Sequence, residues 1–324
     1  MKKVLVTGAG GFIGSHLTEH CLKLGFQVKA FVRYNSNNQI GFLEKSKYLK
    51  EIEVVRGDIR DFDSVYRAVK GVDTIFHLAA LIGIPYSYVS PLAYIKTNLE
   101  GTYNLLESAR SLNVGNILIT STSETYGSAQ YVPIDELHPV MGQSPYSASK
   151  IAADHLAISY YRSFELPVKI VRPFNTYGPR QSTRSIIPTI ITQILKGQKE
   201  VNLGSLTPTR DLTFVKDTVL GFIAIGQCNQ LCGEITNIGM NTEISVEQLV
   251  KKIMGLLNTE IHVKSEESRI RPVNSEVNRL KCNHTKLKKY TDWEANYDLT
   301  SGLQETISWF QNYYDFSNNQ NYVI

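Results

Sequence analysis

Short apolar runs alternate with longer segments of helical periodicity through the first half of the chain. The runs are rich in Val, Ile, Leu and Phe and are apolar at successive positions, which is typical of parallel strands covered by helices on both faces. This alternation predicts an α/β fold built on a Rossmann-type doubly wound parallel sheet. The six predicted strands are Val4 to Thr7, Val28 to Val32, Ile52 to Val55, Thr74 to His77, Ile117 to Thr120 and Val168 to Val171.

The regular alternation weakens after Arg172. Prolines follow, and then a polar mixture that contains strand-like runs at Ile235 to Ile238 and Ile261 to Val263. We therefore predict a smaller C-terminal lobe that is interleaved with the last elements of the sheet. The expected division assigns 1–174 to the Rossmann domain, with 211–238 returning to it, and 175–210 and 239–324 to the lobe, whose Asn-rich last ten residues are expected to be frayed.

The composition excludes several classes of protein. With 324 residues, of which 42% are hydrophobic, the chain can bury the core of one large or two modest domains. The 34 Lys and Arg and 30 Asp and Glu residues are spread along the sequence, and the net charge of +4 is too dilute for a nucleic-acid-binding protein. The four cysteines show neither paired spacing nor a nearby His at metal spacing, so we expect no metal site and no disulfide.

The hydrophobic segments are too short for export or for the membrane. The apolar run after Lys2 and Lys3 ends within three residues, which is too short for the hydrophobic part of a secretion signal. The most apolar stretch, Leu78 to Tyr88, is interrupted by Gly83 and Pro85 and cannot provide the ~20 residues of a bilayer span. We expect a cytoplasmic protein without a membrane partner.

A glycine-rich segment connects the first predicted strand to the first predicted helix. It reads Gly8-Ala9-Gly10-Gly11-Phe12-Ile13-Gly14. Glycines at 8, 11 and 14 allow a tight turn, a close approach of the backbone to a pyrophosphate, and packing of the helix on the strand. The amino terminus of the helix then faces the anion. We interpret the segment as a dinucleotide-binding loop; the alternative is a tight turn without a ligand.

The end of the second strand bears on the choice between NAD and NADP. An acidic residue there accepts hydrogen bonds from the ribose, whereas an Arg accommodates a 2′-phosphate. The chain reads Phe31-Val32-Arg33-Tyr34-Asn35-Ser36, without a carboxylate. Arg33 therefore favours NADP over NAD, the alternative being a solvated arginine. Asp58 and Ile59, after the third strand, are expected to flank the adenine.

Tyr146 and Lys150 are spaced to lie on one face of a helix. They are four residues apart in a segment of helical period that extends to about Arg162. A tyrosine with a reference pKa of ~10 is a poor base at neutral pH, but an adjacent ammonium and an oxidised nicotinamide both favour the phenolate. Tyr146 is therefore a candidate catalytic base.

Glu124 follows the fifth predicted strand, in the segment Ser121-Thr122-Ser123-Glu124-Thr125-Tyr126-Gly127. The carboxyl ends of strands in open α/β sheets are where ligands bind. Because the glycine loop and the Tyr146 and Lys150 pair occur in the same chain, we interpret Glu124 as a catalytic acid or base. The alternative is an exposed loop carboxylate.

These motifs, in this order, resemble the extended short-chain dehydrogenases/reductases that modify nucleotide sugars, over nearly the whole chain. The further motifs that carry the resemblance are Gly57-Asp58-Ile59, His77-Leu78-Ala79-Ala80 and Arg172-Pro173-Phe174-Asn175-Thr176-Tyr177-Gly178-Pro179-Arg180. The resemblance implies a Rossmann domain that binds NAD or NADP. The expected cofactor-binding residues are Gly8, Gly11, Phe12, Ile13, Gly14, Arg33, Asp58, Ile59, Leu78, Ala79, Ala80, Tyr146 and Lys150.

Three segments are similar to the UDP-N-acetylglucosamine 4,6-dehydratases of nonulosonic acid pathways, such as those to legionaminic and pseudaminic acid. They are Leu81-Ile82-Gly83-Ile84-Pro85-Tyr86-Ser87-Tyr88, Gly142-Gln143-Ser144-Pro145-Tyr146 and Thr209-Arg210-Asp211-Leu212. The resemblance implies that Tyr146 takes the proton of the sugar 4-hydroxyl while hydride leaves C4. Glu124 would then remove the C5 proton, water would leave from C6, and the hydride would return to C6.

Ser123 departs from the pattern of the glucose-type dehydratases, which resemble this chain but have an aspartate before the glutamate. A serine hydroxyl is too weak an acid to protonate the leaving hydroxide, so we hypothesise that Glu124 handles both protons in a syn elimination. The expected catalytic residues are Thr122, Ser123, Glu124, Tyr146 and Lys150. The residues expected to bind the UDP-sugar are Tyr86, Asn175, Arg180, Arg210, Arg271 and Glu276.

Several alternatives stay open from the sequence. Within enzymes they are a UDP-glucuronate decarboxylase, a nucleotide-sugar 4-epimerase, and a dehydratase that releases a 5,6-ene; a remote one is a non-catalytic dinucleotide sensor. The resemblance also implies a homodimer through a four-helix bundle formed by the segments Leu92 to Leu112 and Tyr146 to Arg162. Ala148, Ile151, Ala152, His155 and Leu156 would contribute, unless this apolar stripe faces the sheet.

Overall fold

A parallel sheet of seven strands forms the centre of the computed structural model, which describes residues 1–316. Its strands are β1 (Lys3–Thr7), β2 (Gln27–Arg33), β3 (Ile52–Gly57), β4 (Thr74–His77), β5 (Ile117–Thr120), β6 (Val168–Pro173) and β11 (Ile235–Ile238). They are ordered β11-β6-β5-β4-β1-β2-β3. Shorter strands pair outside it: β7 (Asn175–Tyr177), β8 (Glu200–Leu203), β9 (Thr209–Arg210), β10 (Leu212–Phe214), β12 (Ile244–Ser245) and β13 (His262–Ser265).

Helices cover both faces of this sheet, and further helices pack against the shorter strands. They are α1 (Phe12–Lys23), α2 (Phe62–Val69), α3 (Ile84–Val89), α4 (Pro91–Tyr94), α5 (Gly101–Ser111), α6 (Pro145–Phe164), α7 (Ile186–Leu195), α8 (Val215–Gln227), α9 (Val246–Leu256), α10 (Thr285–Tyr290) and α11 (Leu299–Tyr313). Within residues 1–316, none of these helices is both long and apolar enough to cross a membrane.

The predicted α/β class is confirmed, and each of the six predicted strands lies within or at a strand of the sheet. The run 235–238 is the seventh strand and pairs with β6, so the chain returns to the sheet after leaving it. The run 261–263 overlaps β13, which pairs with β8 instead. The division into a Rossmann domain and a C-terminal lobe stays a prediction. Residues 317–324, which make up most of the C-terminal segment expected to be frayed, lie outside the described residues.

The core follows from the two-residue periodicity of the strands. Val4 and Val6 of β1 point to the cluster that contains α1 and α8, whereas Leu5 between them points to the cluster that contains α2, α5 and α6. All three side chains are fully buried. A third cluster joins α7, α9 and α11 and contains Ile190 and Phe310. The strands are therefore apolar on both faces because both faces are covered.

The segment 92–112, predicted as one helix, is interrupted. A π-helical stretch, Ile95–Glu100, lies between α4 and α5 and turns the buried Asn98 inward. The Asn98 amide accepts a hydrogen bond from the backbone N–H of Leu81 at 2.8 Å and donates to Ser149 Oγ at 2.9 Å. Asn98 therefore connects the segment after β4 to α6. Hydrophobic periodicity alone cannot reveal such a local change in winding.

The outer face of α6 carries the apolar stripe considered for a dimer. Ala148 and His155 are exposed, and Ile151, Ala152 and Leu156 are partly exposed. The buried residues of α6 are a different set that includes Ala153 and Ala157, of which Ala157 packs in the core under the sheet. The stripe as a whole therefore does not face the sheet, although Leu156 packs partly against the core.

Candidate active site

The glycine loop after β1 has the shape of a phosphate cradle. Gly8 has a φ of 68°, and a Cβ added to it would lie 2.9 Å from the backbone nitrogen of Ala79. A Cβ on Gly14 would lie 2.2 Å from the carbonyl oxygen of Gly8. Gly11 caps α1 without a side-chain hydrogen bond, which leaves the first N–H groups of the helix to a ligand. The loop therefore fits the pyrophosphate of a dinucleotide.

A buried hydrogen-bond network fixes the segment after β4 against this loop. The Thr7 hydroxyl accepts bonds from the backbone N–H groups of Leu78 and Ala79, both at 3.1 Å, and lies 2.8 Å from His77 Nδ1. Because the two lone pairs of the Thr7 hydroxyl accept these backbone bonds, its single proton is donated to His77 Nδ1. The other ring nitrogen of His77 then carries a hydrogen, and this Nε2–H faces Thr102 Oγ1 at 3.2 Å. Burial lowers the pKa of His77 to about 3, which agrees with a neutral ring.

The residues expected at the adenine end lie at the carboxyl ends of β2 and β3. Arg33 is the last residue of β2 and is exposed. Asp58 follows β3, and its hydrogen bonds from Arg60, the shortest at 2.5 Å, hold the pKa of the carboxyl below its ordinary value. Ile59 is buried, and its carbonyl accepts a bond from Asn104 of α5 at 3.1 Å. The backbone of this corner is therefore fixed, while Arg33 reaches into solvent.

A reciprocal cap starts α6 immediately before the tyrosine. The Ser144 hydroxyl accepts the backbone N–H of Ser147, and the Ser147 hydroxyl accepts that of Ser144, while Pro145 occupies the first turn. This start places Tyr146 and Lys150 on the face turned to the sheet, where they are 7% and 4% exposed. The two predicted catalytic side chains therefore share one buried wall.

Burial dominates the protonation of this pair. It raises the pKa of Tyr146 well above its usual range; a hydrogen bond from Thr122 lowers it, and the nearby charge of Glu124 raises it further. Burial also lowers the pKa of Lys150, which the charge of Asp154 opposes. The stabilisation of the phenolate that the sequence predicts is therefore outweighed by burial in the chain itself. The positive charge of an oxidised nicotinamide would lower the pKa of Tyr146 and so favour the phenolate.

Glu124 lies in a 3₁₀ turn, Ser123–Tyr126, at the carboxyl end of β5. The Thr122 hydroxyl caps the turn by accepting the backbone N–H of Glu124 at 3.2 Å. The Glu124 side chain is only 12% exposed, and its Oε2 lies 3.8 Å from Arg271 Nη1. Glu124 is therefore not an exposed loop carboxylate. The negative charge of Glu124 acts on the Tyr146 phenol, and the Thr122 hydroxyl that caps the Glu124 turn also contributes to the pKa of Tyr146, so the two side chains lie near one another.

Asp154 and Arg172 form a buried ion pair behind these residues, which the sequence analysis missed. Asp154 Oδ2 lies 2.7 Å from Arg172 Nη2 and accepts the Ser121 hydroxyl at 2.5 Å. Both charged side chains are 2% exposed. Asp154 lies four residues after Lys150, so the repeated spacing of four from Tyr146 could have indicated a third buried polar residue on this face.

Polar atoms without partners mark the side of the site expected to bind the substrate. Arg210 Nη2 lies 3.2 Å from Glu276 Oε1, and Arg271 Nη1 lies 3.8 Å from the same oxygen. Among the described residues, Arg271 Nη1 and the buried amide oxygen of Asn175 have no hydrogen-bond partner. A buried polar group left unpaired is costly, so a polar ligand that bonds to these atoms would remove that cost.

Two residues expected at the substrate are placed differently. The Arg180 guanidinium donates to Glu19 of α1 at 3.0 and 3.1 Å, so it connects the segment after β7 to α1 and does not join the cluster around Glu124. Tyr86 reaches the site indirectly: its ring centroid lies 6.2 Å from that of Tyr94, which in turn lies 6.2 Å from that of Tyr146. Carboxylates such as Glu19 that capture an arginine from a distant segment leave no local sequence signal.

Residues 5–306 match the family described as GDP-mannose 4,6 dehydratase. The chain belongs to this family of extended short-chain dehydrogenases/reductases. It is 32% identical to a UDP-N-acetyl-alpha-D-glucosaminuronate decarboxylase of Bacillus cytotoxicus, over 96% of this chain and 98% of the relative. It is 30% identical to the human dTDP-D-glucose 4,6-dehydratase, over 98% of this chain and 92% of that enzyme.

Solved structures agree with this assignment. Pal from Bacillus thuringiensis matches with a TM-score of 0.85 and 31% identity, covering 95% of this chain and 99% of Pal. DesIV from Streptomyces venezuelae, a dTDP-glucose 4,6-dehydratase with NAD and TYD bound, matches with a TM-score of 0.85 and 28% identity, covering 95% and 97%. The resemblance to extended short-chain dehydrogenases/reductases is thus confirmed, and the relatives are nucleotide-sugar dehydratases, decarboxylases and epimerases.

Gly8→Ala should weaken dinucleotide binding because the new Cβ would press on the backbone of Leu78 and Ala79. Gly25→Ala is the matched control, since Gly25 has a φ of 79° but no heavy atom within 4 Å of the added Cβ. Gly25→Ala should lose about 1–2 kcal/mol in the free energy of unfolding from the left-handed backbone, and Gly8→Ala should lose more because its Cβ also presses on backbone atoms. Only Gly8→Ala should lose more than about tenfold in affinity for NAD and NADP by calorimetric titration; equal affinities of the two variants would contradict the cradle.

Proposed function

We propose that this chain is a nucleotide-sugar 4,6-dehydratase that acts on UDP-N-acetylglucosamine with a bound nicotinamide dinucleotide. The observation that carries the proposal is the placement of a carboxylate and a phenol on two different elements, Glu124 after β5 and Tyr146 on α6, at the edge of the sheet where the glycine loop also lies, with Thr122 beside both. A C4 oxidation followed by loss of water needs one base for each of two protons, and these two side chains provide them.

The first proton is that of the sugar 4-hydroxyl. Tyr146 takes it as a base, and the Thr122 hydroxyl supports the phenolate by hydrogen bonding to it. Lys150, on the same face of α6, supplies positive charge nearby. A nicotinamide dinucleotide, which the glycine loop would hold, would supply the acceptor for the C4 hydride and the donor of the same hydride to C6, so that no external reductant would be consumed.

The second proton is that on C5, which becomes acidic once C4 is a ketone. Glu124 removes it, and the same residue then protonates the hydroxide that leaves C6. When hydride returns to C6, C5 takes up a proton from solvent, which balances the 4-hydroxyl proton that Tyr146 took and releases. Ser123 is buried at 2% exposure and is too weak an acid for that step. A single carboxylate that serves both atoms must stand on one face of the sugar, which gives a syn elimination.

The polar cluster beside Glu124 supports binding of a nucleoside diphosphate. Arg210 and Arg271 are suited to phosphate oxygens because a guanidinium donates paired hydrogen bonds. Glu276 would accept from ribose hydroxyls, and the unpartnered oxygen of Asn175 would accept from the ligand. Tyr86 stays assigned to the sugar side. Arg180, which binds Glu19, is proposed only to support this side of the site through α1.

A decarboxylase of a C6-carboxylated UDP-sugar is the second candidate. It is favoured by the 32% identical decarboxylase relative and by Arg271, whose Nη1 has no hydrogen-bond partner in the part of the chain that the structure describes. Such a guanidinium could receive a sugar carboxylate. A 4-epimerase would have no use for Glu124, and a sensor without catalysis would have no use for both Tyr146 and Lys150.

We further propose a cytoplasmic homodimer. The exposed apolar side chains of Leu92 and Ile95, together with Ile151 and Leu156 on the outer face of α6, support helix pairing between two copies.

Glu124→Gln should retain C4 oxidation and lose dehydration, because the amide cannot take up the C5 proton. We expect reduced nicotinamide to appear at 340 nm while the rate of water loss falls by about a thousandfold or more. Glu247→Gln, an exposed carboxylate on α9, is the matched control and should behave as wild type. Dehydration that survives in the Glu124 variant would remove the central assignment.

A panel of UDP and GDP sugars, analysed by mass and NMR, identifies the reaction of the wild-type chain. We expect loss of one water from UDP-N-acetylglucosamine. Loss of carbon dioxide from a UDP-uronate instead would establish the second candidate.

Arg33→Ala should discriminate between the two cofactors. We propose a preference for NADP because Arg33 is exposed at the end of β2 and has no ion-pair partner within residues 1–316. The variant should lose about tenfold or more in affinity for NADP, from the lost guanidinium-phosphate bonds, and less than about twofold for NAD. Arg67→Ala, exposed on α2, controls for the lost charge. An equal effect of Arg33→Ala on both cofactors would refute this preference.

A further inference from the structure

Three segments that are distant in the sequence meet beside the candidate active site. The hydroxyl of Tyr88, at the end of α3, lies 2.5 Å from Ser275 Oγ, and Ser275 Oγ lies 2.6 Å from the carbonyl oxygen of Gln143. Since the Ser275 hydroxyl has one proton and a carbonyl can only accept, Ser275 donates to Gln143 and Tyr88 donates to Ser275. The three residues thus form a directed chain of hydrogen bonds.

The Gln143 side chain extends this chain in two directions. Its Oε1 accepts the backbone N–H of Ser128 at 2.6 Å, and its Nε2 donates to the carbonyl oxygen of Asn274 at 3.1 Å. We call the set of Tyr88, Ser128, Gln143, Asn274 and Ser275 the Gln143 clasp. One glutamine therefore joins the loop that follows Glu124 to the turn that follows Arg271.

Both ends of the Gln143 clasp lead to charged residues of the site. Ser128 comes four residues after Glu124, and its hydroxyl also reaches the carbonyl of Glu276 at 3.4 Å. Asn274 and Ser275 lie between Arg271 and Glu276. The clasp consequently spans the gap across which Glu124 Oε2 and Arg271 Nη1 face each other at 3.8 Å, too far for a hydrogen bond.

Gly127 is required for this approach. It has a φ of 66°, and a Cβ added to it would lie 2.7 Å from Gln143 Oε1 and 2.8 Å from the carbonyl oxygen of Met141. Any side chain at 127 would therefore push Gln143 away from Ser128. The backbone after Glu124 is thus shaped to receive the glutamine side chain.

We propose that Gln143 is a positioning residue that holds the turn 272–276, and with it Arg271, at a fixed distance from Glu124. This inference rests on the proposed function for its kinetic consequences, but the ordering of the turn is a property of the chain alone. The hydrogen bonds of Gln143 described above involve neither Tyr146 nor any other residue of α6. Loss of the Gln143 side chain should therefore slow the elimination step more than the oxidation step. Arg271 would move relative to Glu124, while Tyr146 would stay in place.

Hydrogen exchange of the chain without substrate tests the structural half of the proposal. The backbone N–H groups of Ser275 and Glu276 bond to the Pro272 carbonyl at 2.8 and 3.1 Å. In Gln143→Ala these amides should exchange about tenfold faster than in wild type. Tyr88→Phe, which removes only the outer donor, should have a smaller effect in the same direction. Unchanged exchange in Gln143→Ala would overturn the proposal.

Kinetics with the nucleotide sugar that the wild-type chain converts test the other half. Gln143→Ala should raise KM and lower kcat/KM by about a hundredfold, with reduced nicotinamide accumulating at 340 nm because elimination slows more than oxidation. Gln143→Glu, which keeps the acceptor for Ser128 but cannot donate to Asn274, should fall between wild type and Gln143→Ala. A proportional loss of oxidation and elimination would indicate general destabilisation and contradict a positioning role.

Two control variants remove equivalent groups elsewhere. Gln248→Ala deletes an exposed glutamine that caps α9, and Tyr131→Phe deletes a tyrosine hydroxyl bonded to Asp135 at 2.8 Å. Both should match wild type in exchange at 272–276 and in kinetics. If wild type converts no nucleotide sugar, the proposed function fails, whereas the exchange result still decides whether the Gln143 clasp orders the turn.

Discussion

The buried ion pair between Asp154 and Arg172 is the interaction on which the candidate site depends. Asp154 belongs to the helix that carries Tyr146 and Lys150, Arg172 belongs to β6, and Ser121, which donates to the same carboxylate, begins the segment that carries Glu124. A buried pair of this kind adds little net stability, but removal of one partner costs about 3–5 kcal/mol because a charge is left uncompensated. The consequence of the pair here is geometric, because it fixes the positions of α6, β6 and the segment after β5 relative to one another.

The remaining groups of the site are ordered outward from this point. Thr122 follows Ser121 and is shared by the Tyr146 phenol and the turn of Glu124, so the two candidate bases are tied to a single residue. On the other side, Arg271 approaches Glu124 from a turn that belongs to the C-terminal half. The side of the site formed by α6 and the segment after β5 is therefore held by the buried ion pair of Asp154 and Arg172. The side that carries Arg271 is the one that we propose the Gln143 clasp to hold.

The features of the fold that depend on residues close together in the chain could be predicted from the sequence. The strands could be found because burial on both faces requires continuous apolar runs, and the glycine loop because backbone approach tolerates no Cβ. The face shared by Tyr146 and Lys150 follows from helical geometry alone. These features need no knowledge of distant residues.

The features that the sequence did not reveal depend on distant partners. The π-helical turn at Asn98, the ion pair of Asp154 with Arg172, and the capture of Arg180 by Glu19 each join segments that the sheet brings together. Gln143 is similar: its motif was recognisable, but its bonds to Ser128 and Asn274 exist only once the chain is folded. For arginines in particular, the residue type predicted an anionic partner, and the fold decided whether that partner was a ligand or a glutamate.

The most direct test of the account follows a label through the reaction. UDP-N-acetylglucosamine that carries deuterium at C4 is incubated with the wild-type chain and its dinucleotide, and the product is analysed by NMR and mass spectrometry. If Tyr146 and Glu124 act in turn on one sugar ring beside the nicotinamide, the product has lost one water and carries the deuterium at C6. A product that retains the label at C4, or that loses it to solvent, would contradict the account.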